Sequence, residues 1–288
     1  MLDALEREQP FPGHARVGVT GAPGAGKSTL LDALVRGLRR RNQTVAVVAV
    51  DPSSQRTGGA LLGDRIRIRS GGGDPGVFIR SFAARDRLGG VAESAWAAVA
   101  ILAAAFDHVF VETVGVGQSE GEVATLVDTL VFVTHPGGGD TLQFMKAGIL
   151  ELPDVFVVNK ADVGAAAERT ARELEGGLQL GERDLKGWTP PVQLVSARDG
   201  RGTDALIDAI DAHRAFAISS GLLRERRRHG RERFVLDALT RRYGSFGVER
   251  AGGQAGLLRR LHEDADESAF GAIERLGGAI EAALGATR

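Results

Sequence analysis

Seven short apolar runs, rich in β-branched residues, recur along the first two thirds of the chain, at 17–20, 45–50, 77–79, 109–111, 131–134, 155–158 and 192–195. They are nearly continuous rather than alternating. A strand of that kind is buried on both faces, as in a parallel sheet. Alanine- and leucine-rich stretches with helical spacing lie between most of them, at 30–41, 91–106, 141–151, 165–179 and 204–218. Alternating strand and helix predicts an α/β fold, a mostly parallel sheet covered by helices. Ligands of such sheets sit beyond the carboxyl ends of the strands.

After about Ser219 the strand pattern stops. Residues 222–242 predict a basic helix carrying Arg224, Arg226, Arg227, Arg228, Arg231 and Arg233. A glycine-containing break is expected over 244–256, followed by helical pieces at 257–263 and 267–284. Such a tail cannot form a core alone and must pack on the main domain or on a second copy. Its arginine run is expected to be a solvated helix face, balanced by Glu225 and Glu232.

Composition narrows the partners. At 288 residues and 43% hydrophobic, the chain can bury a sizeable core in one main domain plus an appendage. A formal net charge of −1 leaves no general footprint for nucleic acid or for a membrane surface. The absence of cysteine excludes disulfides and thiolate metal sites and fits a reducing, cytoplasmic location. Residues 1–10 are charged and have no apolar h-region, so no signal peptide is expected. No apolar run approaches the length of a membrane span.

The chemistry is concentrated at strand ends. Gly21-Ala22-Pro23-Gly24-Ala25-Gly26-Lys27-Ser28-Thr29 follows the first strand and opens the first helix. It fits G-x-x-x-x-G-K-[ST], the phosphate-binding loop, at every fixed position. Glycines let backbone N–H groups turn toward phosphate oxygens, and the helix N-terminus adds partial positive charge. Lys27 is expected to reach the β- and γ-phosphates, and Ser28 Oγ to coordinate Mg²⁺.

The sixth run ends in Asn159-Lys160-Ala161-Asp162. A carboxylate at Asp162 can accept from guanine N1–H and the 2-amino group, a donor pair that adenine lacks. The Lys160 stem can lie over the base, and Asn159 can tie this strand end to the phosphate loop. Ser196-Ala197-Arg198 follows the seventh run and offers a backbone N–H to guanine O6. The plainer alternative makes Asp162 an N-cap for the following helix. The order of these motifs favours a guanine nucleotide.

Asp51 ends the second run, where a carboxylate can hold Mg²⁺ or its waters, and Asp64 follows on a glycine-rich segment. Glu112 closes the fourth run in a Walker-B-like position, and Gly115 can offer its N–H to the γ-phosphate. Loss of that phosphate would release residues 115–120, a two-state switch. Gln118 is the nearest candidate for orienting water. Gly137-Gly-Gly-Asp140-Thr-Leu-Gln143-Phe-Met-Lys146 runs into another predicted helix. On pattern alone Asp140 is a helix cap and Lys146 a surface lysine.

Together these residues resemble the MeaB/ArgK family of G proteins. The resemblance rests on G-A-P-G-A-G-K-S-T, D-P-S-S-x₂-T-G-G, L-G-D-R, F-I-R-S, L-G-G-V-A, E-T-V-G-V-G-Q-S-E, G-G-D-x-L-Q-x₂-K and N-K-A-D. It covers about residues 17–198. It implies GTP hydrolysis to GDP with Mg²⁺ near Ser28, Asp51, Asp64 and Glu112, and Lys27, Gly115, Asp64 and Glu112 as the catalytic set. It implies switch loops at 51–64 and 112–120, with Gln118 in the second. It makes Asp140–Lys146 a further switch that contacts a protein partner. That partner would be an adenosylcobalamin-dependent acyl-CoA mutase, for which the family acts as a GTPase chaperone.

Family members are usually homodimers with helical C-terminal arms. The organisation expected is therefore a short segment 1–16, a P-loop GTPase domain 17–218 and a helical dimerisation arm 219–288. Removal of that arm is expected to spare nucleotide binding and disturb dimerisation. Two rival functions share the motifs. One is a metal-insertion (nickel) GTPase, which needs cysteines or clustered histidines, and the histidines here are scattered in sequence. The other is a kinase of a transport-binding protein, which needs a base beside an acceptor hydroxyl.

Overall fold

The computed structural model describes residues 14–52, 73–84, 93–113, 119–137, 151–180, 187–264 and 267–285. Its centre is one seven-stranded sheet with spatial order β3-β2-β4-β1-β5-β6-β7. The strands are β1 (Ala15–Gly21), β2 (Val45–Pro52), β3 (Val77–Ala84), β4 (His108–Thr113), β5 (Thr129–Thr134), β6 (Val155–Val158) and β7 (Val192–Leu194). All six neighbouring pairs are parallel. All seven apolar runs are strands, and the α/β reading stands.

Eight α-helices fall among the described residues. They are α1 (Lys27–Arg40), α2 (Glu93–Ala103), α3 (Ser119–Ala124), α4 (Ala165–Leu180), α5 (Thr203–Ser219), α6 (Leu222–Arg250), α7 (Gly253–His262) and α8 (Ala269–Gly285). Most of the expected helix at 141–151 lies outside the described residues. The period-2 geometry of the strands divides their side chains between two cores. Val45, Val47 and Phe110 join residues of α1, α4 and α5. Ala46, Val48, Val109 and Val111 point the other way and join α2 and α3.

The tail completes that second core. Phe234, Val235 and Leu239 of α6, Leu257 and Leu261 of α7, and Leu276 and Ile280 of α8 are buried in it. Trp96 of α2 stacks on Phe234 at 4.4 Å and 9° between planes, and Phe270 meets Phe234 edge-on at 5.7 Å. Of the two placements open to the tail, packing on the main domain is the one its apolar face takes. The predicted break is narrower than expected. Gly244, with φ 69 and ψ 174, kinks α6, which continues to Arg250 before α7 starts at Gly253.

The arginine run is corrected too. Arg226 sends two N–H groups to Asp154 at 2.6 and 2.7 Å, and Arg227 sends two to Asp128 at 2.8 and 2.7 Å. Both aspartates are 98% or more buried, so this part of the helix is an anchor and not a solvated face. Arg228 does follow the expectation: it is exposed and lies 3.6 Å from Glu232. Burial pushes the Asp154 carboxyl up, but the hydrogen bonds from Arg226 and His213 outweigh it and hold the group at about 2.

Candidate functional site

The sequence motifs converge at the carboxyl edge of the sheet. β1 runs between β4 and β5, so its last residue, Gly21, faces the ends of both. Ala22 donates its backbone N–H to Val133 O of β5 at 3.1 Å, which pins the loop as it leaves the strand. Gly26 ends the loop with φ 85 and ψ 33, and α1 starts at the next residue. A side chain there would be strained in that left-handed region and would stand 2.7 Å from Asn159 Nδ2. The first residues of α1 are Lys27 and Ser28, both buried. Lys27 Nζ donates to Gly21 O at 3.0 Å and Ala22 O at 3.1 Å, which holds the ammonium along the inner edge of the loop.

Glu112 enters from β4, paired in register with Val19. Its Oε1 accepts from Ser28 Oγ at 2.8 Å, with the carboxylate 4% exposed. A hydroxyl and a carboxylate at a helix start are hard oxygen donors of the kind Mg²⁺ takes. Next to them, Thr113 Oγ1 donates to Thr20 Oγ1 at 3.1 Å, tying the end of β4 to the end of β1. Sequence patterns carry no mark of that hydroxyl pair.

The second half of the site comes from β6 and β7. Asn159 is buried and donates Nδ2–H to Ala25 O at 2.8 Å, and its Oδ1 accepts from Ala197 N at 3.1 Å. One amide thus joins the glycine-rich loop to the 196–198 segment. Lys160 takes φ 60, and Ala161 donates to Val195 O at 3.0 Å, so the chain turns outward after β6. Asp162 follows in a single 3₁₀ turn, Ala161–Val163, and is exposed. Its Oδ1 accepts from Ser196 Oγ at 3.1 Å. The N-cap alternative does not match this geometry, because the carboxylate is held by Ser196 and Gly164 stands between that turn and α4.

Gly21, Ala22, Pro23, Gly24, Ala25, Gly26, Lys27, Ser28, Thr29, Glu112, Asn159, Lys160, Asp162, Ser196, Ala197 and Arg198 are therefore gathered at one edge of the sheet. Asp51 is placed by its backbone at the end of β2, in register with Ala83 of β3; its side chain is outside the description. Asp64, Gly115, Gln118, Asp140 and Lys146 also lie outside the described residues. Sequence reasoning missed Asp128 and Asp154, which hold the tail. Each immediately precedes an apolar strand, and an acid in that place opposite a basic helix was the available signal.

A parallel sheet with this loop at its central strand, and Asn-Lys-x-Asp at the end of β6, two strands away, defines a P-loop GTPase. The chain belongs to the MeaB family: the model described as "Methylmalonyl Co-A mutase-associated GTPase MeaB" matches residues 3–243. Among curated proteins, GTPase ArgK of Escherichia coli is 42% identical over 229 residues, spanning 78% of this chain and 68% of that protein. The mitochondrial methylmalonic aciduria type A homolog of Mus musculus is 38% identical over 232 residues, 78% of this chain and 56% of that one.

Among solved structures, a LAO/AO transport system kinase aligns with a TM-score of 0.65 at 28% identity, covering 97% of this chain and 85% of the other. Hydrogenase maturation factor HypB from Archaeoglobus fulgidus aligns with a TM-score of 0.54 at 16% identity, covering 74% and 97%, a likeness of fold. Guanine nucleotide is the ligand that membership implies. Among the described residues, no helix is long and apolar enough to cross a membrane.

Proposed function

We propose that this GTPase hydrolyses Mg²⁺-bound GTP to GDP and phosphate and uses the cycle as a chaperone. Its client would be an adenosylcobalamin-dependent acyl-CoA mutase of the methylmalonyl-CoA type, whose cofactor loading and reactivation it gates. The client assignment draws on the family's description and on the mouse relative's name. The observation that carries the nucleotide part is Asn159, whose amide bonds both the phosphate-type loop and the 196–198 segment. In this reading the loop amides and Lys27 hold the phosphates. Asp162, steadied by Ser196, reads the guanine edge, and the Ala197–Arg198 backbone meets O6.

Ser28, Glu112, Asp51 and Asp64 are the oxygen donors proposed for Mg²⁺, which when bound neutralises phosphate charge. Gly115, with Lys27, serves the γ-phosphate. Gln118 is assigned to the switch at 112–120, and Asp140 and Lys146 to contact with the client. The working form is proposed as a cytoplasmic homodimer joined through residues 219–288, where Phe246 is 70% exposed.

GTP hydrolysis measured with and without adenosylcobalamin-dependent mutases of the same genome tests this. Stimulation by one of them is the expected result. Tight GTP binding with no stimulation by any would keep the GTPase and remove the client. Asp162→Asn is expected to turn preference from guanine toward xanthine nucleotides, as read by competition binding. A second reading, phosphoryl transfer to a transport-binding protein, has one observation behind it, the kinase name of the aligned structure. Labelled γ-phosphate recovered on protein rather than in water would favour it.

A further inference from the structure

A half-open cavity of about 320 Å³ lies where the tail crosses the main domain. Its floor is aliphatic. Val127 comes from the turn before β5 and Leu130 from β5 itself, both buried, and Ala124 from the end of α3. Leu152 and Leu222 also line it. Among the described residues, none of the nucleotide motifs lines it. The α6 wall presents Leu222, Arg226, Gly230 and Arg233, one face of a helix by their spacing. At Gly230 a side chain would run into the backbone carbonyl of Thr125, so α6 touches the turn after α3 directly and seals one side.

The two arginines of that wall differ. Arg226 is committed to Asp154 by two short bonds and neutralised by it. Arg233 makes no hydrogen bond among the described residues, and its nearest acidic contact is Asp237 at 3.9 Å. Its guanidinium is half-exposed at the rim, next to His229 along the same helix face. An apolar floor lined also by a half-exposed guanidinium, held only by the 3.9 Å contact with Asp237, is a site with a defined polarity. The volume is that of a small-molecule pocket, too small for a peptide helix. A bare inorganic anion would leave the floor uncovered.

We propose that this cavity binds a small amphipathic acid, with an aliphatic body on Val127, Leu130 and Leu222 and a carboxylate-type head on Arg233. Glu225, the one acid among the described lining residues, disfavours more than one negative charge on the head. The probe is 8-anilinonaphthalene-1-sulfonate, bound to the full chain and followed by fluorescence, with octanoate and octanol as competitors. One probe molecule per chain is expected. Octanoate should displace it at least fivefold more effectively than octanol.

Arg233→Gln, an exposed position outside the nucleotide site, should abolish the preference for the acid while leaving displacement by octanol unchanged. Ala124→Phe, which fills the floor, should remove probe binding while GDP affinity stays within twofold. Equal displacement by acid and alcohol, or an Arg233→Gln variant that keeps the preference, would overturn the assignment. So would failure of either competitor to displace the probe.

Discussion

Asn159 serves two segments with one side chain. Its Nδ2 end holds Ala25 O and its Oδ1 end holds Ala197 N, both buried. Asn159→Ala leaves both backbone groups without that partner, at about 1–3 kcal/mol for each buried group left unsatisfied. The expected outcome is a loss of GDP affinity of roughly tenfold or more by titration calorimetry, with the fold kept. Asn159 was legible in the sequence because an apolar strand followed by Asn-Lys-x-Asp is a spacing with a purpose. The bond from Ser196 to Asp162 was not. It joins residues 34 apart in sequence, and only the parallel pairing of β6 with β7 brings them together.

At the scale of elements, the basic stretch of α6 separates what composition conveys from what position conveys. Arg226 and Arg227 are sequence neighbours, so they leave the helix about 100° apart. That divergence lets each reach a different strand-leading aspartate, Asp154 before β6 and Asp128 before β5. A run of arginines predicts a solvated face because most are; the exception depends on acids that are distant in sequence. Arg226→Met removes one partner of a buried pair and should cost about 3–5 kcal/mol in urea unfolding. Adding Asp154→Leu to it should recover part of that loss, since no buried charge then stands alone. Gly244 was legible as a break, but its extent was not: a single kink suffices where a longer loop was expected.

For the whole molecule, two buried groups among the described residues bear on acid stability. Burial, helped by Arg214, pulls the His108 imidazole from 6.5 to about 4. As pH falls below 6.5 the unfolded chain takes up that proton first, so the folded state loses stability between 6.5 and about 4, by up to about 3 kcal/mol. Asp154 acts lower. Its stabilisation is fully present above the ordinary value of 3.8 and is lost as pH falls from there through about 2. Urea midpoints across that range should fall in two stages, and His108→Gln should remove the upper one.

A cut after Ser219 belongs to this scale too. It would strip the cover from Val48, Val109 and Val111, which share a core with α6, α7 and α8. The fragment 1–219 is expected to be insoluble, rather than a nucleotide-binding unit lacking only its arm. A soluble fragment that binds GDP would refute this.

The tail's place in that core also has a consequence in time. β7 is finished at Leu194, whereas the buried residues that cover the second face end with Ile280 of α8. At about 5–20 residues per second, a nascent chain carries a finished sheet whose second face is covered only by α2 and α3 for on the order of ten seconds. The protein is thus most exposed to aggregation at the end of its synthesis. A slower passage through the tail's codons would lengthen that window without altering a single residue.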